Sequence, residues 1–309
     1  MYFPDLFEEL FYKALRIRLV EERIIELYPS DKIQSPVHLS IGQEAVAVAA
    51  CQSLAPSDLL FCSCRSHAFY LAKGGDLSSM MAELFGKVTG CCAGKGGSMH
   101  LAAPEVGLMG SSAIVASTIP HAVGAALAAK RCEKDQVVVV VFGDGAIDEG
   151  VYHESLNFAS LHELPVVFLY ENNGLAVHSR IGTRHAFESM VHARSYGLPV
   201  THLASGHDLM NNYRVFSEIV AEVRRTGLPH YVEIQTYRYM EHVGVSEDYE
   251  AGYRPRSELD FWKSTDPLIL QHELVEKYRP EILNEIDGAL EFAESSSWPG
   301  EEQLLTHVV

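Results

Sequence analysis

The stretch QVVVVVFGDG, Gln136–Gly145, joins a β-branched run to an aspartate between two glycines, and it decides the fold class. Such a run is typical of a strand that is buried on both faces of a parallel sheet. A second stretch, PVVFLYENNG (Pro165–Gly174), repeats the pattern with two asparagines in place of the aspartate. Glu149–Leu161, which lies between them, has apolar residues at helical spacing. The order strand, helix, strand predicts an α/β fold with a parallel sheet flanked by helices.

The same alternation extends outward on both sides of this stretch. Pro120–Arg131 is rich in alanine and carries a proline in its first turn, where a helix tolerates it. A further helix is predicted over Asp208–Arg225, and a third strand follows it at Tyr231–Tyr237. Because parallel sheets gather their ligands at the carboxyl ends of the strands, we expect functional side chains directly after these strands.

Both ends of the chain are predicted to be helical. Apolar residues recur at helical spacing over residues 5–28, and Pro29 ends that run. A helical tail is predicted over about residues 265–309. No low-complexity linker and no repeat of fixed period divides the chain, so we predict a single domain over residues 1–309.

The charge and composition of the chain exclude several classes of function. A net charge of −17 disfavours nucleic-acid binding, because a phosphate backbone requires a basic surface. No apolar run approaches the roughly 20 residues that cross a bilayer. The N-terminal segment is interrupted by acidic residues, unlike a signal peptide. We therefore expect a cytoplasmic protein with neither a membrane nor a nucleic-acid partner.

The cysteines do not follow a metal-binding pattern. None of them forms a CxxC pair, which argues against a zinc site. Without a secretion signal, free thiols in a reducing compartment are expected. The cysteines are Cys51, Cys62, Cys64, Cys91, Cys92 and Cys132.

Two oxygen-bearing side chains follow the two central predicted strands. Asp144 comes directly after the first, and Asn173 comes after the next, one strand–helix–strand unit later. If these strands are neighbours, the two side chains meet at one edge of the sheet, and Mg²⁺ prefers such oxygen ligands together with phosphate and water. Glycines on both sides of Asp144 allow a diphosphate to approach the backbone closely. Either motif alone is also typical of a plain turn.

These motifs, in this order, resemble the α subunits of thiamine-diphosphate-dependent 2-oxo-acid dehydrogenases that act on pyruvate, branched-chain 2-oxo acids or acetoin. The stretch from Gly143 to Asn173 resembles the thiamine-diphosphate fingerprint, GDG followed by NN. The resemblance extends over about residues 10–295. The further motifs that carry it are HLSIGQEAVAVAA (38–50), CRSHAFYLAKG (64–74), GCCAGKGGSMHL (90–101), TYRYMEH (236–242) and GYRPRSELDFWKSTDP (252–267).

The resemblance implies a thiamine-diphosphate-binding fold and a role for each matching position. Mg²⁺ would be held by Asp144, Asn173 and the backbone carbonyl of Leu175. Arginine and histidine side chains suit the diphosphate oxygens because charge-assisted hydrogen bonds are strong. The residues so placed are Arg65, Arg238 and His242. The remaining cofactor-binding residues are Gly143, Gly145 and Ala146 around the aspartate, Ala113, Ile114 and Val115 along the middle of the cofactor, and Val177, with Ile114 as the alternative, as the apolar wedge that bends it.

Three side chains are the candidates for catalysis, namely His242, Arg65 and His100. His100 is placed at the mouth of the active site, where His178 is a further candidate, and a purely structural role is an equal alternative for both. The glycine-rich segment Gly94–Gly97 lacks the spacing of an ATP-binding loop. The resemblance places it instead as a shaped loop near the cofactor cleft.

The resemblance also implies the reaction and the partners. The enzyme would decarboxylate a small 2-oxo acid and form a hydroxyalkyl-thiamine intermediate for transfer to an acceptor. In this family the glutamate that activates the cofactor belongs to a separate β subunit, so an α₂β₂ heterotetramer is implied. A lipoyl acyltransferase is a further possible partner. Two alternatives stay open, namely transketolase-like ketol transfer or acyloin chemistry, and an inactive scaffold or regulatory subunit.

The chain departs from the family pattern at the edge of the cleft. Cys64 stands where a tyrosine is usual, which removes one hydroxyl contact to the diphosphate. Met240 and Glu241 replace a His-Gly pair ahead of His242. Because that loop lies near the substrate entrance, the identity of the substrate and transfer to a lipoyl arm are not fixed by the resemblance.

Overall fold

The fold is built on strands that alternate with helices, as seen in a computed structural model that describes residues 3–33 and 35–306. The helices are α1 (Leu6–Leu27), α2 (Glu44–Gln52), α3 (His67–Lys73), α4 (Leu77–Leu84), α5 (Thr118–Arg131), α6 (Gly150–Leu161), α7 (Ser189–Ser195), α8 (Leu209–Thr226), α9 (Arg256–Lys263), α10 (Pro267–Leu270) and α11 (His272–Ser295). The strands are β1 (Leu59–Ser63), β2 (Leu108–Ser112), β3 (Val138–Phe142), β4 (Val166–Asn172), β5 (Leu175–Ala176), β6 (Ser179–Arg180), β7 (Val200–Leu203) and β8 (His230–Gln235).

Six of these strands form one parallel sheet in the order β2-β1-β3-β4-β8-β7. β3 pairs with β4 in register from Val138 opposite Val166 to Phe142 opposite Tyr170. The predicted parallel sheet flanked by helices is therefore confirmed. The short strands β5 and β6 form a separate antiparallel hairpin directly after β4.

The predicted central elements differ from the observed ones only at their ends. β3 begins at Val138 rather than at the predicted Gln136, and β8 covers His230–Gln235 rather than the predicted Tyr231–Tyr237. β4 includes Asn172, which the sequence assigned to the following turn. The strand β8 stops before Tyr237 because the chain turns there, and the Tyr239 amide donates to the Ile41 carbonyl instead. The paired ladder between β4 and β8 accounts for the extension to Asn172, which pairs with Gln235.

The two faces of the sheet bury two separate clusters of side chains, because neighbouring residues of a strand point to opposite faces. Val139 and Val141 of β3 face the cluster that includes α1, α2, α8 and α11. Val138, Val140 and Phe142 face the cluster that includes α5 and α6. All five residues of β3 are buried, which agrees with a strand covered by helices on both sides.

The first and last helices join on one face of the molecule. The side chain of Asp5 caps α1 by accepting from the Glu8 amide at 2.9 Å. Arg16 on α1 pairs with Glu285 on α11. The buried Arg18 pairs with Glu44 of α2 and, at 3.0 Å, with Asp266 before α10. The tail predicted over residues 265–309 contains α10 and α11, while its last three residues lie outside the described part.

None of the helices in the described residues is both long and apolar enough to span a membrane. The assignment of residues 1–309 to a single domain stays a prediction.

Candidate cofactor site

Asp144 and Asn173 lie at the same carboxyl edge of the sheet, because β3 and β4 are hydrogen-bonded neighbours. Both residues line one cleft. Asp144 opens a 3₁₀ turn, Asp144–Asp148, and is only 1% exposed. Apart from the chain neighbours Phe142 and Asp144, no atom of the described residues lies within 4 Å of where a Cβ would stand at Gly143, so the backbone before Asp144 is open on that side. The sequence motif therefore produces an open backbone approach to a buried carboxylate.

In the described part of the chain, one oxygen of the Asp144 carboxylate accepts a side-chain hydrogen bond and the other does not. The Tyr170 hydroxyl donates to Oδ1 at 2.8 Å. Oδ2 is buried and has no hydrogen-bond partner among the described residues. Burial raises the pKa of this carboxyl group, while the hydrogen bond from Tyr170 and the charge of Arg184 act in the opposite direction. A buried, unpaired carboxylate oxygen beside an amide side chain suits a hard cation.

Arg184 is the cation nearest to this carboxylate in the described structure. Its Nη2 lies 3.9 Å from Asp144 Oδ1, and its Nη1 pairs with Asp148. Its Nε and Nη2 have no hydrogen-bond partner among the described residues. Neither Arg184 nor Tyr170 is predicted from the sequence as a site residue, because the contacts of both depend on the fold rather than on a motif.

The two asparagines after β4 have different tasks. Asn172 donates to Glu233 at 2.7 Å and accepts from the Gly174 amide, so it fixes the turn. Asn173 lines the cleft, and its Oδ1 accepts from the Leu175 amide at 3.1 Å. An amide oxygen has two lone pairs, so Asn173 keeps one for a ligand. Leu175 also lines the cleft at the start of the β5–β6 hairpin.

Most of the predicted site residues line this one cleft. The structure brings together residues from β1, the segment after β2, the GDG turn and the β5–β6 hairpin. The predicted residues on its walls are Arg65, Ala113, Ile114, Val115, Gly143, Asp144, Gly145, Ala146, Asn173, Leu175, Val177 and His242. Cys64, which departs from the family pattern, lines it as well.

Arg65, His38 and His242 form one polar wall of the cleft, the histidine wall. Arg65 is buried and donates to the carbonyl oxygens of Leu39 and His242. The rings of His38 and His242 meet edge to face with centroids 4.9 Å apart. Burial, and then the charge of Arg65, lower the pKa of each histidine to about 3, so both rings are neutral at pH 7. His38 Nδ1 has no partner within the described residues.

His38 is a site residue that the sequence reasoning missed. It stands at the start of HLSIGQEAVAVAA, which carried the family resemblance but received no role. The structure brings it to the cleft through a bridge between His38 and Gly244, next to His242. The motif contained His38, but only the bridge between two distant segments shows that its side chain lines the cleft.

Arg238 and His100 do not line the cleft, and neither does the further candidate His178. Arg238 is 1% exposed and donates to the carbonyl oxygens of Met240 and Val177, to Asp248 and to the Tyr253 hydroxyl. Its bond to the Val177 carbonyl therefore holds the β5–β6 hairpin in place. His100 is exposed in the loop before β2, and its carbonyl accepts from the Cys92 thiol. The roles predicted for both residues remain predictions.

The mouth of the cleft is apolar and partly strained. Ile114, Val115 and Val177 are 71%, 52% and 46% exposed, so large aliphatic side chains face solvent together at this cleft. Val177 has φ of 52° and Ala116 has φ of 60°, in the left-handed region that a β-branched residue rarely adopts. Such strain collects at functional sites, where the surrounding structure holds it.

Comparison with known proteins identifies the family. A sequence model described as "Dehydrogenase E1 component" matches residues 12–296. The chain belongs to this family. The α subunit of an acetoin:2,6-dichlorophenolindophenol oxidoreductase from Bacillus subtilis is 36% identical over 308 residues, covering 97% of this chain and 92% of the relative. An α subunit of pyruvate dehydrogenase E1 from Rickettsia prowazekii is 33% identical over 311 residues, covering 96% and 94%.

A structural comparison of this E1 component extends the likeness to the fold. A transketolase from Campylobacter jejuni superimposes with a TM-score of 0.59 at 18% sequence identity, covering 93% of this chain and 48% of that one. At this identity the likeness concerns the fold alone. Together with the family match, it confirms the resemblance stated from the sequence. The chain is an α-type subunit of a thiamine-diphosphate-dependent 2-oxo-acid dehydrogenase.

Proposed function

We propose that the cleft at Asp144 binds Mg²⁺ together with the diphosphate of thiamine diphosphate, and that the chain decarboxylates a small 2-oxo acid with a separate β subunit. The observation that carries this proposal is the buried Asp144 Oδ2, which has no partner among the described residues and lies in the same cleft as Asn173. Thiamine diphosphate, when bound, supplies the electron sink for decarboxylation.

The cation is assigned to Asp144, Asn173 and the Leu175 carbonyl. Mg²⁺ takes one or two carboxylates or amides from protein and completes its octahedron with phosphate and water. Tyr170 holds Oδ1 of Asp144, so Oδ2 is the oxygen that remains for the ion. Arg184 Nη2 lies 3.9 Å from Asp144 Oδ1, so its positive charge compensates part of the carboxylate charge. The bound cation would compensate the rest.

The diphosphate is assigned to Arg65, His242 and, in addition to the residues expected from sequence, His38. Arg65 already donates to two backbone carbonyls, and a guanidinium has five N–H donors, so further donors remain for phosphate oxygens. The two histidines are neutral, and each neutral imidazole offers one N–H. The main electrostatic attraction for the anion therefore comes from Arg65 and the metal ion, and the histidines contribute directed hydrogen bonds.

The partner is a β subunit in an α₂β₂ assembly. Ile114, Val115 and Val177 form an exposed apolar patch at the mouth of the cleft. Because such patches mark contact surfaces, we expect a second chain or the cofactor to cover it. Both relatives described above are named as α subunits. A lipoyl acyltransferase is the proposed acceptor-bearing partner.

The choice of acceptor depends on the segment from Met240 to Glu241. The Glu241 amide donates to the Ser246 carbonyl, and the Glu241 carboxylate accepts from the Ser246 amide, so this segment closes a tight turn. The Gly244 amide donates to the Val37 carbonyl, which holds the turn against the histidine wall. Transketolase-like ketol transfer or acyloin chemistry is the alternative that this unusual turn leaves open. The inactive scaffold alternative is disfavoured by the intact arrangement of Asp144, Asn173 and Arg65 around the cleft.

The test is to purify the chain with and without its β subunit. We expect calorimetry on the complex to show thiamine diphosphate binding with Mg²⁺ and a large loss of affinity in EDTA. Decarboxylation of a panel of 2-oxo acids with an artificial electron acceptor should require both chains. Full turnover by this chain alone would refute the two-subunit proposal, and metal-independent binding would refute the cation site.

A further inference from the structure

A pair of adjacent thiols lies outside the cofactor cleft and has no part in the proposed reaction. Cys91 and Cys92 are half-buried in the loop that follows α4. Their sulfur atoms and a carboxylate oxygen of Glu83 lie within 4.8 Å of one another. The loop therefore brings two soft ligand atoms together at a point that solvent can reach.

The Glu83 carboxylate is not available as a third ligand. Its Oε2 accepts from the amides of Cys92 at 2.8 Å and Gly94 at 2.9 Å. Its Oε1 accepts from the amides of Gly96 at 2.7 Å and Gly97 at 3.0 Å. Four N–H donors use the in-plane lone pairs of a carboxylate, so the site consists of the two sulfur atoms.

The same contacts make the loop rigid. A Cβ at Gly90 would stand 2.3 Å from Glu83 Oε2, and one at Gly96 would stand 2.7 Å from the His100 carbonyl oxygen. Ala93, directly after the thiol pair, has φ of 56°. Backbone with so little room cannot relax, so the two sulfur atoms are held near each other before any ligand arrives. Such preorganisation reduces the entropy cost of binding.

The two thiols differ in acidity. The Cys92 thiol donates to the His100 carbonyl oxygen at 3.1 Å, which fixes its position. Hydrogen bonding from Cys91 lowers the pKa of the Cys92 thiol, whereas the same contact, followed by burial, raises the pKa of Cys91. Cys92 is therefore the sulfur that reacts first with an electrophile, and Cys91 is the second, adjacent nucleophile.

We propose that Cys91 and Cys92 form a binding site for thiophilic centres that accept two sulfur ligands, represented by trivalent organoarsenicals. In this reaction two As–S bonds replace the two S–H bonds and the As=O group, and the oxygen leaves as water with both thiol protons. No atom changes its oxidation state, and no further reagent is needed. The pair is a poor site for Zn²⁺, because structural zinc sites take four protein ligands and the Glu83 carboxylate already accepts four backbone amides.

The experiment treats the reduced complex of this chain with its β subunit, free of any lipoyl protein, with phenylarsine oxide. Mass spectrometry should show one phenylarsenic group on this chain that survives excess monothiol and is removed by a vicinal dithiol. Peptide mapping should show Cys91 and Cys92 jointly protected from iodoacetamide. Because the second As–S bond is intramolecular, C91S and C92S should each weaken retention by on the order of 100-fold.

The matched control is C132S, since Cys132 is an exposed single thiol. That variant should keep the stable adduct unchanged. Melting temperatures of all variants are measured alongside. If a variant folds poorly, the peptide map of the arsenical-treated chain without substitutions still decides which cysteines carry the adduct. An adduct that excess monothiol removes, or that maps to other cysteines, overturns the proposal, as does zinc binding of comparable strength.

Discussion

Two buried carboxylates beside glycine-rich segments, that of Asp144 after β3 and that of Glu83 on α4, behave in opposite ways. The Glu83 carboxylate accepts hydrogen bonds from four backbone amides, so all its in-plane lone pairs hold the segment from Cys92 to Gly97. The Asp144 carboxylate has one partner on Oδ1, the Tyr170 hydroxyl, and none among the described residues on Oδ2. Both side chains are only 1% exposed. Burial and glycine content are alike at the two positions, so the proposal of a ligand site at Asp144 depends on its uncommitted lone pair.

The largest effect is expected for E83Q. An amide would present N–H groups to backbone N–H donors, leaving buried groups unpaired where the carboxylate now accepts. We expect the free energy of unfolding to fall by about 3 kcal/mol or more. Denaturant unfolding monitored by circular dichroism measures it. E276Q, on the exposed side of α11, is the control and should change stability little. A fall no larger than in that control would show that the carboxylate does not hold the loop.

The second prediction concerns D144N, which changes the other carboxylate in the same way. Burial raises the pKa of Asp144, so losing the charge should leave the stability of the cofactor-free protein unchanged or higher. Thiamine diphosphate affinity in Mg²⁺ should fall by about 2–3 kcal/mol, or roughly 30- to 150-fold, because a charged ligand is lost. Calorimetry and thermal unfolding measure the two quantities. A variant that loses stability but keeps its cofactor affinity would make Asp144 a structural residue like Glu83.

The third prediction uses the histidine wall of the same cleft. The pKa of His38 and of His242 is about 3 in the folded protein, below the value of an unfolded histidine. Between pH 6.5 and pH 3 the unfolded chain therefore binds protons that the folded chain does not. We expect either histidine to lower the free energy of unfolding by about 2 kcal/mol at pH 5 relative to pH 8.

This acid sensitivity is measured by denaturant unfolding of the cofactor-free protein across that range. H242Q and H38Q should each flatten the pH dependence. H121Q, at an exposed position on α5, should leave it as it was. A slope that persists in both cleft variants would assign the effect to other groups.

The smallest effect is expected for Y170F. Removing the hydroxyl leaves Oδ1 of Asp144 without its 2.8 Å donor, so the carboxylate is free to turn. Mg²⁺-dependent binding of the cofactor should weaken by about 1 kcal/mol, near fivefold, which is the usual worth of one hydrogen bond. The matched control is Y152F, since the Tyr152 hydroxyl meets Tyr231 at 3.4 Å on the same face of the sheet. Equal effects in the two variants would show that Tyr170 does not position the ligand.

The glycine-rich segment after α4 illustrates how a sequence motif and a structural role diverge. Its GKGG stretch suggested a shaped loop near the cofactor cleft, while its cysteines suggested only free thiols. The residue that shapes the loop is Glu83 on α4, which lies outside the GKGG stretch and belongs to no motif. Its carboxylate accepts from the amides of Gly96 and Gly97. The thiol pair is a consequence of that shape, because the amide of Cys92 is one of the four that Glu83 holds.

The sequence alone predicted a parallel α/β sheet, three of its strands (β3, β4 and β8) and the placement of Asp144 and Asn173 after two of them, because those features depend on neighbouring residues, whereas β1, β2 and β7 were seen only in the structure. A β-branched run followed by a turn has the same meaning wherever it occurs in a chain. Tertiary structure decided which atoms of these residues stay free. Tyr170 reaches Asp144 because β3 and β4 are paired in register, and His38 meets His242 because two distant segments bridge. Arg238 donates to Asp248 and to the Val177 carbonyl for the same reason, since the fold brings these distant segments together. Contacts between residues far apart in the chain leave no local pattern, so they become visible only in the folded molecule.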